Sequence, residues 1–186
     1  MVRVPYLKPD ALPEALRSLG GDRILNLWLV LGHSRQTVEP MARLGAAFFG
    51  AGSALDAIDR ELVILTCARC YGTEYEWAQH TVISTSVGVT DDQRAALSRD
   101  DLDATHFTEA QRALLRFVEA TTRGPQVDDA VHTAAAEHYN NEQLVETLVL
   151  AGFYYLVARV CTVLDLDIDA PEGDEVLQQA LALQEG

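Results

Sequence analysis

The chain has 186 residues, 48% of them hydrophobic and 23% charged, with a formal net charge of −14. This length and apolar share suit one domain with a full core. The acidic balance repels nucleic-acid phosphates, no apolar run is expected to reach the roughly 18 residues of a membrane span, and three cysteines, an odd number, do not form a disulfide framework.

The first ten residues, MVRVPYLKPD, hold no secretory h-region. A reducing cytoplasm is therefore the expected compartment. Residues 1–9, with Pro5 and Pro9, read as an extended arm. A short helix is expected from Asp10 to Leu19, stopped by Gly20-Gly21. Asp22 is placed to cap a second helix through Ile24, Leu27, Trp28 and Leu31, apolar at helical spacing. Thr37, with Pro40 in the first turn, opens a third helix ending near Gly50. Asp56 caps a strongly apolar helix to Tyr71, and Gly72 ends it. Thr73 starts the next, which Gly88 ends.

Thr90 caps a short helix over Asp91 to Leu97, followed by a polar loop from Ser98 to Phe107. Thr108 and Gln111 form a capping-box pattern before a helix that ends at Gly124-Pro125. Asp128 caps a helix to Tyr139, and Asn141 caps the longest one, to Leu164. Asp165 to Gly173 is an acidic linker, and Val176 to Leu183 is an amphipathic tail. Nothing alternates convincingly like a strand, so the expectation is an all-α single domain of about eight to ten helices.

The stretch from Arg60 to His80, RELVILTCARCYGTEYEWAQH, holds most of the chemistry. With the bend at Gly72, Glu61 lies roughly 16 Å before it and His80 about 12 Å after it, at 1.5 Å per residue. The two can stand nearly opposite one another. A carboxylate facing an imidazole fixes its tautomer and raises its basicity, which is the minimum for acid–base chemistry near neutral pH. By spacing alone, Glu61 is either solvated on an outer face or buried with a partner.

Cys67-Ala-Arg-Cys70 matches a redox CxxC, but that motif needs its first thiol at a helix N-terminus. Here both thiols fall in the last turns of a helix. At about 100° per residue, Cys70 points about 180° away from Glu61 and Cys67 about 120° away. Packing or surface residues without catalysis, or a thiol pair remote from Glu61, are the two readings. Thr73-Glu-Tyr-Glu76 reads as a capping box, and Glu76 also precedes His80 by one turn on the same face. His33, His106, His132 and His138 have no metal-ligand spacing with a partner.

Taken together, RELVILTCARCYGTEYEWAQHTVISTSVGVTDDQRAAL resembles the carboxymuconolactone decarboxylase family, in the superfamily that includes the alkylhydroperoxidase D proteins. The Leu-Asn-Leu at 25–27, Phe-Phe-Gly at 48–50 and Ala151-Gly-Phe-Tyr-Tyr-Leu-Val extend the likeness over nearly the whole chain. The resemblance implies an all-α fold built on a helical hairpin, and homo-trimers or hexamers with sites near subunit interfaces.

In the peroxidase branch a glutamate is followed, after eleven intervening residues, by Cys-x-x-Cys-x-x-x-His. On this chain Glu61 and His80 match, but Thr73 and Glu76 stand at the cysteine positions. Related decarboxylase-like sequences often keep the first cysteine, which here is threonine. The resemblance implies a cofactor-free lyase or isomerase acting on a small carboxylated, lactone or keto compound, without a metal. His80 would carry the proton and Glu61 would orient it. Tyr75 would donate to an oxyanion, Glu76 would be a further catalytic residue, and Arg60, holding a carboxylate, and Thr73 would bind the substrate. The competing expectations are a thiol peroxidase using Cys67 and Cys70, and a non-catalytic oligomeric binding protein on the same scaffold.

Overall fold

A computed structural model describes residues 1–17 and 24–170, which are helical with no strand among them. A 3₁₀ turn at Pro9–Ala11 leads into α1 (Glu14–Arg17), then α2 (Asn26–Leu31) and α3 (Val38–Ala47). The central pair is α4 (Ala57–Tyr71) and α5 (Glu74–Val87). Next come α6 (Asp91–Ser98), α7 (Glu109–Arg123), α8 (Asp129–Ala136) and α9 (Asn141–Leu164). The expected stop at Gly20-Gly21, the Asp22 cap and the tail Val176 to Leu183 lie outside the described residues.

The hairpin forms for local reasons. Asp56 caps α4 by accepting from the Asp59 N–H, which satisfies one of the free donors of the first turn. Gly72 ends α4 at φ 66°, a left-handed position that strains any residue with a Cβ. Its N–H bonds back into the last turn of α4, and α5 starts two residues later. Gly88 ends α5 in the same way, at φ 105°.

Capping boxes form at Thr90/Gln93, Thr108/Gln111 and Asn140/Gln143. The last shifts the expected cap from Asn141 to Asn140, since only Asn140 has Gln143 three residues on. Asp128 and Thr37 make no side-chain cap bond. The Thr37 hydroxyl donates instead to Ser34.

α4 packs against α5, α6, α7 and α9 at once. On one side Val63, Ile64 and Cys67 join a large core with Val38, Phe48, Leu114, Phe117, Leu150 and Val157. On the other, Leu62 and Leu65 join a smaller one with Ala96, Leu97, Phe107 and Leu115. Each such leucine contributes about 1.5–3 kcal/mol by leaving water.

α9 corrects the expectation drawn from apolar runs, because it is long and apolar enough by composition to cross a membrane. One of its faces lies in the core through Leu144, Thr147, Leu150, Ala151, Tyr154, Val157 and Cys161. Val145, Leu148, Val149, Tyr155, Leu156 and Val163 are exposed.

Residues 165–170 are a bound strap and not a free linker. Asp165, at φ 55°, reverses the chain after α9, and the Leu166 N–H donates to the Cys161 carbonyl. The N-terminal arm runs alongside, with Arg3 N–H donating to the Leu164 carbonyl at 2.8 Å. The Tyr6 hydroxyl accepts from the Asp167 N–H and donates to its carboxylate.

Candidate active site

Glu61 lies in the second turn of α4 and His80 in the middle of α5, and both are buried. Glu61 Oε2 is 2.8 Å from His80 Nδ1. The solvated alternative for Glu61 is therefore excluded, since its exposure is 0%. A carboxylate only accepts hydrogen bonds, so Nδ1 carries the ring proton. Nε2 of a neutral ring then accepts, and the Tyr154 hydroxyl stands 2.8 Å from it. Burial, then the charges of Glu61 and Glu76, push the Tyr154 phenol far above its ordinary range, so it remains a donor.

Aromatic rings frame this line of three residues. Phe49 stacks on the imidazole with ring centres 6.3 Å apart, and Tyr154 meets it edge-on at 5.1 Å. Arg60 closes the far side. Its Nε lies 3.5 Å from Glu61 Oε1, Nη1 donates to the Phe48 carbonyl at 3.2 Å, and the guanidinium lies over the Phe49 ring. Arg60 was expected to hold a substrate carboxylate. It is buried and its charge is matched by Glu61, so it acts instead as the counter-charge that keeps a buried carboxylate tolerable.

The expected capping box at Thr73 and Glu76 does not form. Both carboxyl oxygens of Glu76 and the Thr73 hydroxyl are buried without a hydrogen-bond partner among the described residues. Glu76 points into the interior and not back toward the helix end. Burial pushes its carboxyl up to about 9, so it is a neutral acid at neutral pH. Its charge, when present, is felt by Cys67 and Tyr71 of α4 and by Tyr154 and Cys161 of α9. Residues four apart on a helix have β-carbons about 5–6 Å apart, so Glu76 is the nearest acid to His80 on α5. A cavity of about 190 Å³ opens beside the hairpin tip, lined in part by Thr73, Tyr75, Cys161, Thr162, Asp165 and Leu166.

Tyr75 was expected at an oxyanion and is engaged elsewhere. Its hydroxyl donates to Asp169 Oδ2 at 2.5 Å and accepts from the Leu27 N–H. The Asp169 carbonyl also accepts from Gln79 Nε2 at 3.0 Å. Tyr75 thus fastens the strap to α5.

Cys67, Cys70 and Cys161 are free thiols. Cys67 is fully buried, and burial, then Glu76 and Cys70, push its thiol well above the usual range. That is the reverse of what a thiolate nucleophile needs. Cys70 is half-buried and receives a hydrogen bond from the Arg69 guanidinium. The other histidines stand apart: His33 contacts the Pro5 carbonyl, His106 pairs loosely with Asp92 at 3.9 Å, and His132 packs edge-on against Phe117.

Tyr154 is the site residue that sequence reasoning missed. A signal existed, because a tyrosine in the apolar run from Ala151 to Val157 needs a partner for its hydroxyl once buried. Helical periodicity alone does not choose between Tyr154 and Tyr155. The structure places Tyr155 on the exposed side, against Tyr71 and Arg159.

Residues 36–120 match the family model for the carboxymuconolactone decarboxylase family. No curated protein sequence is a significant match to the chain. A peroxidase-related protein from Ralstonia eutropha with an alkylhydroperoxidase AhpD core superposes with a TM-score of 0.80 at 19% identity, over 96% of each chain. A second peroxidase-related protein, from a Silicibacter species, gives 0.78 at 15% identity, over 91% of this chain and 92% of that one. A variant of the debrominase Bmp8 in complex with 2,3,4-tribromopyrrole gives 0.75 at 18% identity, over 100% of this chain and 97% of that one. At these identities the likeness is one of fold. Residues 36–120 thus match the carboxymuconolactone decarboxylase family model, on an alkylhydroperoxidase D-like helical fold.

Proposed function

We propose that the protein is a cofactor-independent acid–base enzyme of the lyase or isomerase type, acting on a small lactone, keto or carboxylated compound. The observation that supports this is the line of hydrogen bonds from Glu61 through His80 to Tyr154, 2.8 Å at each step. Glu61 holds the imidazole in one tautomer and stabilises the imidazolium that forms when Nε2 takes a proton. Nε2 is the working end of the ring. The Tyr154 hydroxyl keeps it hydrogen-bonded in the resting protein and yields that place to the substrate. The buried surroundings strengthen each of these interactions relative to water.

A proton drawn from carbon beside a carbonyl leaves an enolate, and return of the proton at the same or another carbon needs no redox partner. A thiol route is less well supported, because the Cys67 thiol is held protonated and Thr73 and Glu76 occupy the positions where the resemblance looks for cysteines.

Solvent-deuterium exchange into small keto compounds and lactones, followed by proton NMR, tests the reading without a known substrate. His80→Ala is expected to slow exchange by about 10²–10⁴-fold, the usual contribution of a positioned acid–base group. Unchanged exchange in that variant would rule the mechanism out.

A further inference from the structure

We propose that Glu76 is the hydrogen-bond donor to the substrate oxygen, and that the substrate is a neutral ketone or lactone and not a carboxylate. This rests on His80 as the proton carrier and narrows what it acts upon.

The starting point is the side chain that the rest of the fold leaves unexplained. Glu76 is 2% exposed, and neither carboxyl oxygen has a hydrogen-bond partner among the described residues. Buried polar groups are almost always paired, so an unpaired one in a native interior calls for a function. One turn later on the same face stands His80. One turn earlier stands the Thr73 hydroxyl, also buried and unpaired, on the wall of the 190 Å³ cavity. A hydroxyl, a carboxylic acid and an imidazole thus follow one another at one-turn intervals from the start of α5. A neutral carboxylic acid in an apolar site donates an O–H to an oxygen that gains negative charge in the transition state, and gives it more than water would.

Charge decides the substrate class. Arg60 is matched by Glu61, Arg69 by Asp100 and Glu119, and Arg94 by Asp91. Among the described residues, then, these buried or largely buried arginines already have acidic partners, and a carboxylate set beside Glu76 would gain no unmatched cation. A neutral carbonyl compound has no such requirement. The step balances within the protein: the C–H bond beside the carbonyl breaks, its proton bonds to His80 Nε2, and its electron pair forms the enolate. The enolate oxygen accepts from Glu76 O–H, and the proton returns from His80 to carbon.

The test compares deuterium exchange into methyl levulinate, a neutral ketone, with exchange into levulinate, the same ketone bearing a carboxylate. The unmodified protein is expected to exchange the ester at least about tenfold faster. Glu76→Leu should lower ester exchange by about 100-fold, as loss of an oxyanion donor does. Glu76→Gln, which keeps an N–H donor, should stay within about tenfold of the unmodified protein. Thermal melting by circular dichroism checks folding, and the ester-to-acid ratio needs no variant.

Levulinate exchanging as fast as the ester, a Leu variant as active as the unmodified protein, or Leu and Gln variants equally inactive while folded would each overturn this inference. Dependence on His80 would survive any of those results. Exchange absent from both compounds, or unaffected by His80→Ala, would bring down the acid–base reading and this one with it.

Discussion

Glu61 Oε2 lies 2.8 Å from His80 Nδ1 across the α4–α5 hairpin, with the opposite carboxylate oxygen 3.5 Å from Arg60 Nε. One carboxylate therefore serves two cationic or potentially cationic groups, both buried. In the proposed mechanism Glu61 is a positioning residue, since it would act through the imidazole.

Glu61→Gln should separate these duties. The amide can still accept a hydrogen bond but brings no charge. Exchange activity should fall by about 100-fold. Arg60 would be left buried without its partner, at a cost of about 3–5 kcal/mol in denaturant unfolding. Unchanged exchange in the folded variant would show that Glu61 is only packing.

Tyr154→Phe removes the donor to His80 Nε2 while keeping the ring that meets the imidazole edge-on. Leaving a buried acceptor unpaired should cost about 1–3 kcal/mol. The measurement is chemical denaturation alongside the exchange assay. If Tyr154 merely occupies Nε2 at rest, activity survives in the folded variant. Loss of activity without loss of stability would make the phenol a proton carrier.

Glu76 sets a slope of stability with pH. Its carboxyl keeps the proton up to about 9 in the folded protein, against an ordinary value of 4.5. Between those values folding takes up a proton, so stability falls as pH rises, by at most about 1.4 kcal/mol per pH unit for this group. Above pH 9 the term is flat. The groups that feel its charge are Cys67 and Tyr71 of α4 and Tyr154 and Cys161 of α9. Asp59 is also raised by burial and adds a slope of the same sign at the acid end. Glu76→Leu should remove the slope from pH 6 to 9 and raise the melting temperature at pH 8, in the same variant expected to lose exchange. A slope unchanged by the substitution would mean that Glu76 is ionised in the folded state.

The cysteines should divide by burial and not act as a pair. Cys67→Ser places a hydroxyl in a fully buried apolar site and should destabilise by about 1–3 kcal/mol. Cys70→Ser, half-buried, should stay within about 0.5 kcal/mol. Neither should change exchange activity. Peroxide consumption that disappears in folded Cys67→Ser would restore the thiol reading.

The hairpin and its facing pair were readable from the sequence because their signals are local and reinforce one another. Asp56 and Gly72 bracket one helix, Thr73 and Gly88 the next, and the distances of Glu61 and His80 from the bend nearly match. What was missed depends on contacts distant in sequence. Tyr154 reaches His80 from 74 positions away, and helical phase cannot say which of two adjacent tyrosines faces the core. Asp169 claims Tyr75 across 94 positions, so the tyrosine that seemed free for an oxyanion is not. Thr73 and Glu76 show a local rule overruled. Their spacing fits a capping box, but the interior takes Glu76 and Gly72 closes the preceding helix without them.

From Glu61 to Cys67, every residue of α4 is 0% exposed, with one core on one side and a second on the other. A helix with a solvent face tolerates change on every third or fourth residue. This one offers no such relief, so a saturation library across α4 should show seven adjacent intolerant positions in place of a helical rhythm. Variation in substrate preference would then have to arise on α5, α9 and the strap, while α4 stays fixed as the axis against which they move.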